Sequence, residues 1–303
     1  MVIKEELAKI CRENLEKGFK GFDEGQLYEI RIGLRHGILP EKVRLYAKPF
    51  FFWEQMEQIR LGLECGFSTE AVQLYAKSEF NASQMNEIRS GFKHGLSTAQ
   101  VGTYARFLFS SNQMKWIRKG LEAGFLEEQL NLYRKPEFCA AQMREVYQGF
   151  RSKLLIEQVC LYAKEVFDER QMKEIRFGLE AGLSKDQMGL FANPAFGFRQ
   201  MFQIRTGLEQ GLSLEQVGLF AKPEFHWMQM SEILYGLGVG LSVEQVCFYA
   251  KPELPVSQMT LIRLGLQKQF SFEQMMSYAD SKFSLEEMEK RYAEVIRERE
   301  IFR

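Results

Sequence analysis

Arginine recurs at a fixed interval along most of the chain, and a ladder of guanidinium groups has the charge to follow a phosphate backbone. On a helical wheel Arg60 lies about 40° from Met56, beside an apolar stripe. Its stem can therefore pack while its guanidinium bonds neighbouring carbonyls or carboxylates. Tyr147 and Leu234 interrupt the column. Phase and interruptions favour a structural role for the remaining members: Arg31, Arg60, Arg89, Arg118, Arg176, Arg205 and Arg263.

A second group of basic residues occupies positions that vary along the chain, on the predicted outer arc of helices, and it has aromatic neighbours. Basic side chains on an exposed face can neutralise phosphates, so this group is a candidate nucleic-acid interface. A charged, solvated helix face is the alternative interpretation. We call the group the basic strip; it comprises Lys93, Lys115, Trp116, Lys119, Arg144, Tyr147, Arg151 and Lys173.

Aromatic residues also cluster in segments that are predicted to be variable loops between helices. Exposed aromatics at loop tips are suited to anchoring a protein partner. Burial against the next element is the alternative, since aromatic residues commonly carry packing. The residues in question are Phe52, Trp53, Phe198, His226 and Trp227.

Signatures of catalysis are missing from the sequence. The glycines between Gly236 and Gly240 resemble a phosphate loop, but no strand is predicted before them. His36 and His94 share a repeat position two units apart, which places them about 16 Å or more from each other, too far to share a metal ion. We therefore expect a protein that is not an enzyme, with no catalytic residues, no metal site and no cofactor.

The element that must position all these residues is a repeat. The segment Gln55–Leu63 recurs with its leading polar residue at 26, 55, 84 and onward in steps of 29 residues, without insertion or deletion. Nine tandem repeats run from 26 to 286. The flanking segments, 1–25 and 287–303, are predicted to be capping helices of one continuous array.

Each repeat is predicted to form two short helices. Met56, Ile59 and Leu63 share one stripe of the first helix, and Gly66 favours its termination. The second helix begins in five repeats with Ser-x-x-Gln, which forms a capping box. A glycine in every first helix indicates a close backbone approach between neighbouring helices. First helices are expected to be capped by Asp23, Asn81, Ser110, Asp168 and Ser284.

Composition excludes several classes of protein. The 303 residues are 46% hydrophobic, which argues against disorder, and no run of eighteen apolar residues predicts a membrane helix. Forty basic residues balance forty acidic ones, so bulk charge indicates neither nucleic acid nor an anionic membrane. Five cysteines without a C-x-x-C pair, and a first segment unlike a secretory signal, predict a cytoplasmic protein.

The motif Gln-Met-x-x-Ile-Arg-x-Gly-Leu followed by Tyr-Ala-Lys-Pro-Glu-Phe resembles a group of largely uncharacterised bacterial tandem-repeat proteins that are often associated with mobile elements. The resemblance covers residues 26–286 and implies helical repeats without an established activity. A shorter segment, Gly211–Val217, resembles the helix start of mitochondrial transcription-termination-factor and transcription-activator-like effector repeats, which bind nucleic acid.

Together these patterns predict an all-α protein, a superhelical α-solenoid of two-helix repeats with terminal capping helices. Near-invariant core positions combined with variable exposed ones are typical of a binding scaffold. We expect a non-enzymatic protein that presents an extended surface to a protein partner. Nucleic-acid binding through the basic strip is the alternative, and neither a membrane nor a small-molecule cofactor is expected as a partner.

Overall fold

The computed structural model of the protein describes residues 2–280 and 282–301. Met1 of the predicted N-terminal cap, Ser281 of the ninth repeat, and Phe302 and Arg303 of the predicted C-terminal cap lie outside the described residues. Within the described ranges all regular structure is helical, and no strand is present. None of these helices is both long and apolar enough to cross a bilayer. The all-α prediction is therefore confirmed for the described chain.

Within residues 2–280 and 282–301 twenty helices follow one another, and helices of 12 residues alternate with helices of four to seven between two longer terminal ones. We call the 12-residue helices the long helices and those between them the short helices. In chain order they are α1 (Val2–Glu16), α2 (Glu24–Arg35), α3 (Pro40–Val43), α4 (Trp53–Glu64), α5 (Thr69–Gln73), α6 (Ala82–Lys93), α7 (Thr98–Gly102), α8 (Ser111–Glu122), α9 (Glu127–Tyr133), α10 (Ala140–Arg151), α11 (Ile156–Val159), α12 (Glu169–Glu180), α13 (Lys185–Gly189), α14 (Phe198–Glu209), α15 (Leu214–Gly218), α16 (Trp227–Gly238), α17 (Val243–Cys247), α18 (Val256–Gln267), α19 (Phe272–Tyr278) and α20 (Leu285–Ile301).

The chain divides into two compact units, Met1–Tyr147 and Gln148–Arg303. In the first unit α1 packs on α2. The long helix α2 packs on α4, α4 packs on α6, and α6 packs on α8. In the second unit the same order holds for α12, α14, α16 and α18, and α20 packs on α18 and α19. Each of the short helices α3, α5, α7, α9, α13, α15, α17 and α19 packs on the long helix before it. Neighbours in sequence are thus neighbours in space within each unit.

In most long helices a glutamine side chain joins the helix to the loop that follows the next short helix. Gln55 accepts a hydrogen bond from the backbone N–H of Phe52 at 2.8 Å, and its amide donates to the carbonyl of Ser78 at 3.2 Å. It also donates to the carbonyl of Phe80, which is 25 residues away. Since unpaired backbone groups at helix ends are costly when buried, this one side chain satisfies groups in two successive segments. Gln26, Gln84, Gln113, Gln171, Gln200 and Gln229 make the equivalent bonds.

The predicted N-cap residues are confirmed. Side chains of Asp23, Asn81, Ser110 and Asp168 accept from the backbone N–H three residues later, and Ser284 does the same for α20. The five predicted Ser-x-x-Gln capping boxes form at the starts of α7, α13, α15, α17 and α19. Gly66 takes a φ of 78° after α4, a left-handed conformation that glycine adopts without steric cost.

The glycine inside each long helix makes room for a ring rather than for a neighbouring backbone. A Cβ at Gly62 would collide with the hydroxyl of Tyr75, which donates to the carbonyl of Gln58 at 3.4 Å. Tyr75 belongs to the turn after α5, in the same repeat, so the expected approach of two backbones is wrong. The close contact is between a tyrosine and the helix that precedes it.

Candidate binding surfaces

The arginine column binds the repeats together. Arg60 donates from Nε to Glu29 of the preceding long helix at 2.7 Å and from Nη1 to Glu64 at 2.6 Å. Burial alone would lower the pKa of Arg60, but the bonds to both carboxylates outweigh it and raise that pKa. Arg118, Arg205 and Arg263 repeat this geometry with a partner 31 residues earlier and another four residues later. The structural interpretation of this column is confirmed for these members.

Where the column lacks arginine, its partner position has changed as well. Tyr147 faces Trp116, and their ring centroids lie 5.4 Å apart. Leu234 stands 31 residues after Gln203 and is buried. An arginine at either place would meet no carboxylate at the earlier position. The interruptions are therefore matched replacements within a stacking contact.

The predicted aromatic residues lie at the starts of long helices, which corrects their expected position at loop tips. Trp53, Phe198 and Trp227 are the first residues of α4, α14 and α16, while Phe52 and His226 are the N-cap residues. The reason is the glutamine three residues after each N-cap, whose bond to the N-cap amide sets the helix start.

Phe52 and Trp53 are exposed in the first unit. Phe52 has 73% of its surface accessible and Trp53 has 45%. The indole nevertheless lies against α2, because a Cβ at Gly25 would stand 2.9 Å from its Cγ. Trp53 is thus partly packed against α2 and partly exposed.

In the second unit the helix starts bring aromatic rings and arginines together. The Arg199 guanidinium lies 5.0 Å from the Trp227 ring centroid and 5.7 Å from that of Phe198. The guanidinium of Arg170, at the start of α12, lies 5.0 Å from the Phe198 ring centroid. His226 contacts Trp227 with a centroid distance of 5.6 Å. We call these five residues the helix-start cluster.

The helix-start cluster borders a concave site of about 580 Å³, which is lined by Gly197, Phe198, Arg199, Gln200, Pro223, Glu224, Phe225, His226 and Trp227. Phe198 and Trp227 are half-buried, and His226 and Arg199 are exposed. Among the described residues, neither Arg170 nor Arg199 has a carboxylate within ion-pair distance. Sequence reasoning did not single out these two arginines. Each is the second residue of a long helix, and Arg199 directly follows Phe198, which was the available signal.

The basic strip is distributed over both units. In the first unit Lys93 and Arg144 are exposed, whereas Lys115, Trp116, Lys119 and Tyr147 are half-buried. Lys119 lies 4.7 Å from the centroid of the Trp116 ring, and Arg144 pairs with Glu145 at 3.1 Å. In the second unit Arg151 and Lys173 are exposed, and Lys173 lies 5.4 Å from the Phe177 ring. Part of the strip is thus engaged with neighbouring side chains.

His36 and His94, which share a repeat position, each contact a glutamate of the next long helix. The Nδ1 of His36 lies 2.8 Å from Glu64, and that of His94 lies 3.1 Å from Glu122. Across the described ranges no group of three or more His, Cys, Asp or Glu side chains is placed to hold a metal ion. All five cysteines are free.

Comparison with known proteins finds no family model that matches the chain, no similar curated protein and no similar solved structure.

Proposed function

We propose that the protein is a non-enzymatic binding scaffold that captures a partner protein on surfaces that vary between repeats. Its proposed architecture is a superhelical α-solenoid of nine 29-residue, two-helix repeats, with residues 1–25 and 287–303 as terminal caps. Support comes from hydrogen bonds that recur at the same repeat positions, such as those of Gln55 and Gln84. The five free cysteines support a reducing, cytoplasmic location.

The helix-start cluster is the observation that carries the proposal. Arg199 lies against two aromatic rings without a carboxylate partner, whereas Arg205 in the same helix is bonded to two glutamates. Arginine and tryptophan dominate binding energy at protein interfaces, and they do so in pockets that exclude water. Packing against rings also restricts the guanidinium before a partner arrives, which reduces the ordering cost of binding.

The chemistry of the cluster fits an extended segment of a partner protein. An apolar side chain of that segment fills the concave site between Phe198, Pro223 and Trp227. A carboxylate or carbonyl of the segment accepts hydrogen bonds from Arg199 and Arg170, whose guanidinium edges remain available. Phe52 and Trp53 form a second, separate aromatic surface in the first unit.

Quantitative affinity capture from a lysate of the native host tests the proposal. The R199A/W227A variant removes the centre of the cluster, and the control V256A/S257A changes the corresponding first and second positions of α18. We expect the first variant to lose the captured partner and the second to retain it, with equal helicity. Equal capture by both variants would contradict the proposal, as would capture that disappears after nuclease treatment.

Nucleic-acid binding is the second candidate function, supported by the exposure of Lys93, Arg144, Arg151 and Lys173. Fluorescence anisotropy with labelled single-stranded and double-stranded DNA and RNA tests it at about 50 and 200 mM salt, a range over which phosphate contacts weaken steeply. A saturable signal that falls with salt and is lost in K93E/R144E would establish this function in place of protein capture.

A further inference from the structure

Two concave sites at helix starts occupy the same repeat positions, one in each unit. The first, of about 550 Å³, lies between the starts of α4 and α6, and we call it the first-unit site. The helix-start cluster borders the other, of about 580 Å³, which we call the second-unit site. Five repeats of 29 residues separate them, so Phe52 corresponds to Gly197 and Glu54 to Arg199. The two sites are thus built from the same repeat positions with different side chains.

The two sites carry opposite charge. Glu54 and Glu79 line the first-unit site, and no lysine or arginine is among its described lining residues. Neither glutamate has a basic side chain within ion-pair distance in the part of the chain that the structure describes. The second-unit site carries Arg199 and the neighbouring Arg170 against one lining acid, Glu224. Opposite charges on two surfaces steer their encounter and fix the register of contact, so these sites are electrostatically complementary.

The sites are also complementary in their apolar parts. Phe52 is 73% exposed at the N-cap of α4, two positions before Glu54. At the same repeat position the second-unit site has Gly197, where a Cβ would meet only the Gln200 side chain, at 3.6 Å. An apolar recess lined by Phe198 and Trp227 therefore stays open beside Gly197. The first-unit site presents an aromatic ring and a carboxylate, and the second-unit site presents a recess and guanidinium groups.

We propose that the first-unit site of one copy of the protein docks on the second-unit site of a second copy. The Phe52 ring enters the recess between Phe198 and Trp227, and the Glu54 carboxylate accepts hydrogen bonds from Arg199. Because the Arg199 guanidinium is already held against two rings, docking costs little ordering. This inference rests on the proposed function, since it names a second copy of the chain as the partner of the helix-start cluster.

Sedimentation velocity of the purified protein at about 1–100 μM, a range that covers weak protein complexes, tests the proposal. We expect the wild type to self-associate. E54R and R199E each place like charges at the contact, so each variant alone should associate at least about tenfold more weakly. An equimolar mixture of E54R and R199E again places opposite charges at the contact and should recover association. The control E286R reverses a charge at the corresponding second position of α20 and should associate like the wild type.

F52A guards against misfolding of the charge variants, because it removes only an exposed ring; it should weaken association and keep the helicity of the wild type. A monomeric wild type, or E54R and R199E proteins that stay apart when mixed, would overturn the proposed self-association. If the wild type is monomeric but R199A/W227A still loses a captured protein from the lysate, the scaffold stands and only the second copy is wrong. Self-association through these sites without capture of any other protein would confirm this inference and restrict the proposed function to it.

Discussion

Arg60 donates to Glu29 at 2.7 Å across the two neighbouring long helices α4 and α2, although 31 residues separate them in sequence. Both side chains are largely buried, so neither can recover full hydration if the other is removed. The bond to Glu64 makes Arg60 the centre of a three-membered cluster that recurs along the chain. Its role in stacking explains why arginine recurs without forming a phosphate track.

Removal of one partner from this cluster should be strongly destabilising. We expect R60A to lower the free energy of unfolding by about 3 kcal/mol, since a buried carboxylate loses its partner. Gln203 and Leu234 occupy the repeat positions of Glu29 and Arg60 and form an uncharged version of this contact. The E29Q/R60L variant copies that version and should recover most of the lost stability. Urea unfolding of all three proteins, followed by circular dichroism, gives these values. An R60A protein as stable as the wild type would show that the cluster contributes nothing to stacking.

Alanine at Gly62 should be far more damaging than alanine at Gly207. A Cβ at Gly62 collides with the Tyr75 hydroxyl, whereas at Gly207 the nearest atoms, from Leu234 and Phe220, stand 3.2 Å away. We expect G62A to cost about 2 kcal/mol through overpacking and G207A to stay within about 1 kcal/mol of the wild type, because alanine favours the helix. Adding Y75F should rescue G62A in thermal denaturation. Equal losses for the two glycine variants would contradict the proposed role of the hydroxyl.

Glycine at position 153 should stabilise the protein. Lys153 has a φ of 64°, at the repeat position where Gly182 has 79°. A left-handed lysine costs about 1–2 kcal/mol, and the greater freedom of unfolded glycine offsets part of that gain. We therefore expect K153G to raise the free energy of unfolding, measured in urea, by about 0.5–1 kcal/mol and G182K to lower it by a similar amount. A destabilised K153G protein would be inconsistent with this geometry.

Alkaline solution should unfold the protein cooperatively. Burial raises the pKa of six tyrosines in the repeat core: Tyr46, Tyr75, Tyr104, Tyr133, Tyr249 and Tyr278. Above about pH 10 the unfolded chain loses tyrosine protons that the native state keeps, so stability falls as pH rises. Each tyrosine contributes up to about 1.4 kcal/mol per pH unit in that range, and none of this loss occurs below it.

Absorbance at the tyrosinate band and circular dichroism, recorded together during an alkaline titration, check this expectation. Ionisation of the buried tyrosines should coincide with loss of helicity. Phe191 and Phe220 occupy the repeat position of Tyr249. The Y249F variant should therefore show a shallower fall of stability with pH, by the contribution of one tyrosine. Ionisation that precedes unfolding would refute the burial of these hydroxyls.

The helical fold and its N-cap hydrogen bonds could be predicted because they depend on residues close in sequence. Ser97 and Gln100, or Asp23 and Gln26, meet within one turn, so their spacing suffices. The bond between Arg60 and Glu29 depends instead on the register of neighbouring helices, which no local pattern contains. For the same reason the tyrosine that requires Gly62 remained unidentified.

The candidate sites were predictable as residue types but not as arrangements. The sequence predicts Trp227 and Phe198 as candidate aromatic anchors, but their stacking with Arg199 depends on how successive helix starts are offset. Between α14 and α16 the uncharged residues Gln203, Leu234 and Gly238 stand at the positions of the ion-pair cluster. Reading the interruption of the arginine column alongside the change at position 203 was the signal that could have revealed this replacement.

Site-specific photo-crosslinking from the helix-start cluster tests protein capture most directly. A photoreactive amino acid at His226 lies within the cluster, and the same residue at Gln73, exposed on α5, serves as the control position. We expect irradiation in host cells to yield a discrete protein adduct from position 226, to yield none from position 73, and to lose the adduct when R199A is added. Adducts that contain only nucleic acid, or that form equally from both positions, would contradict a protein-binding scaffold at this site.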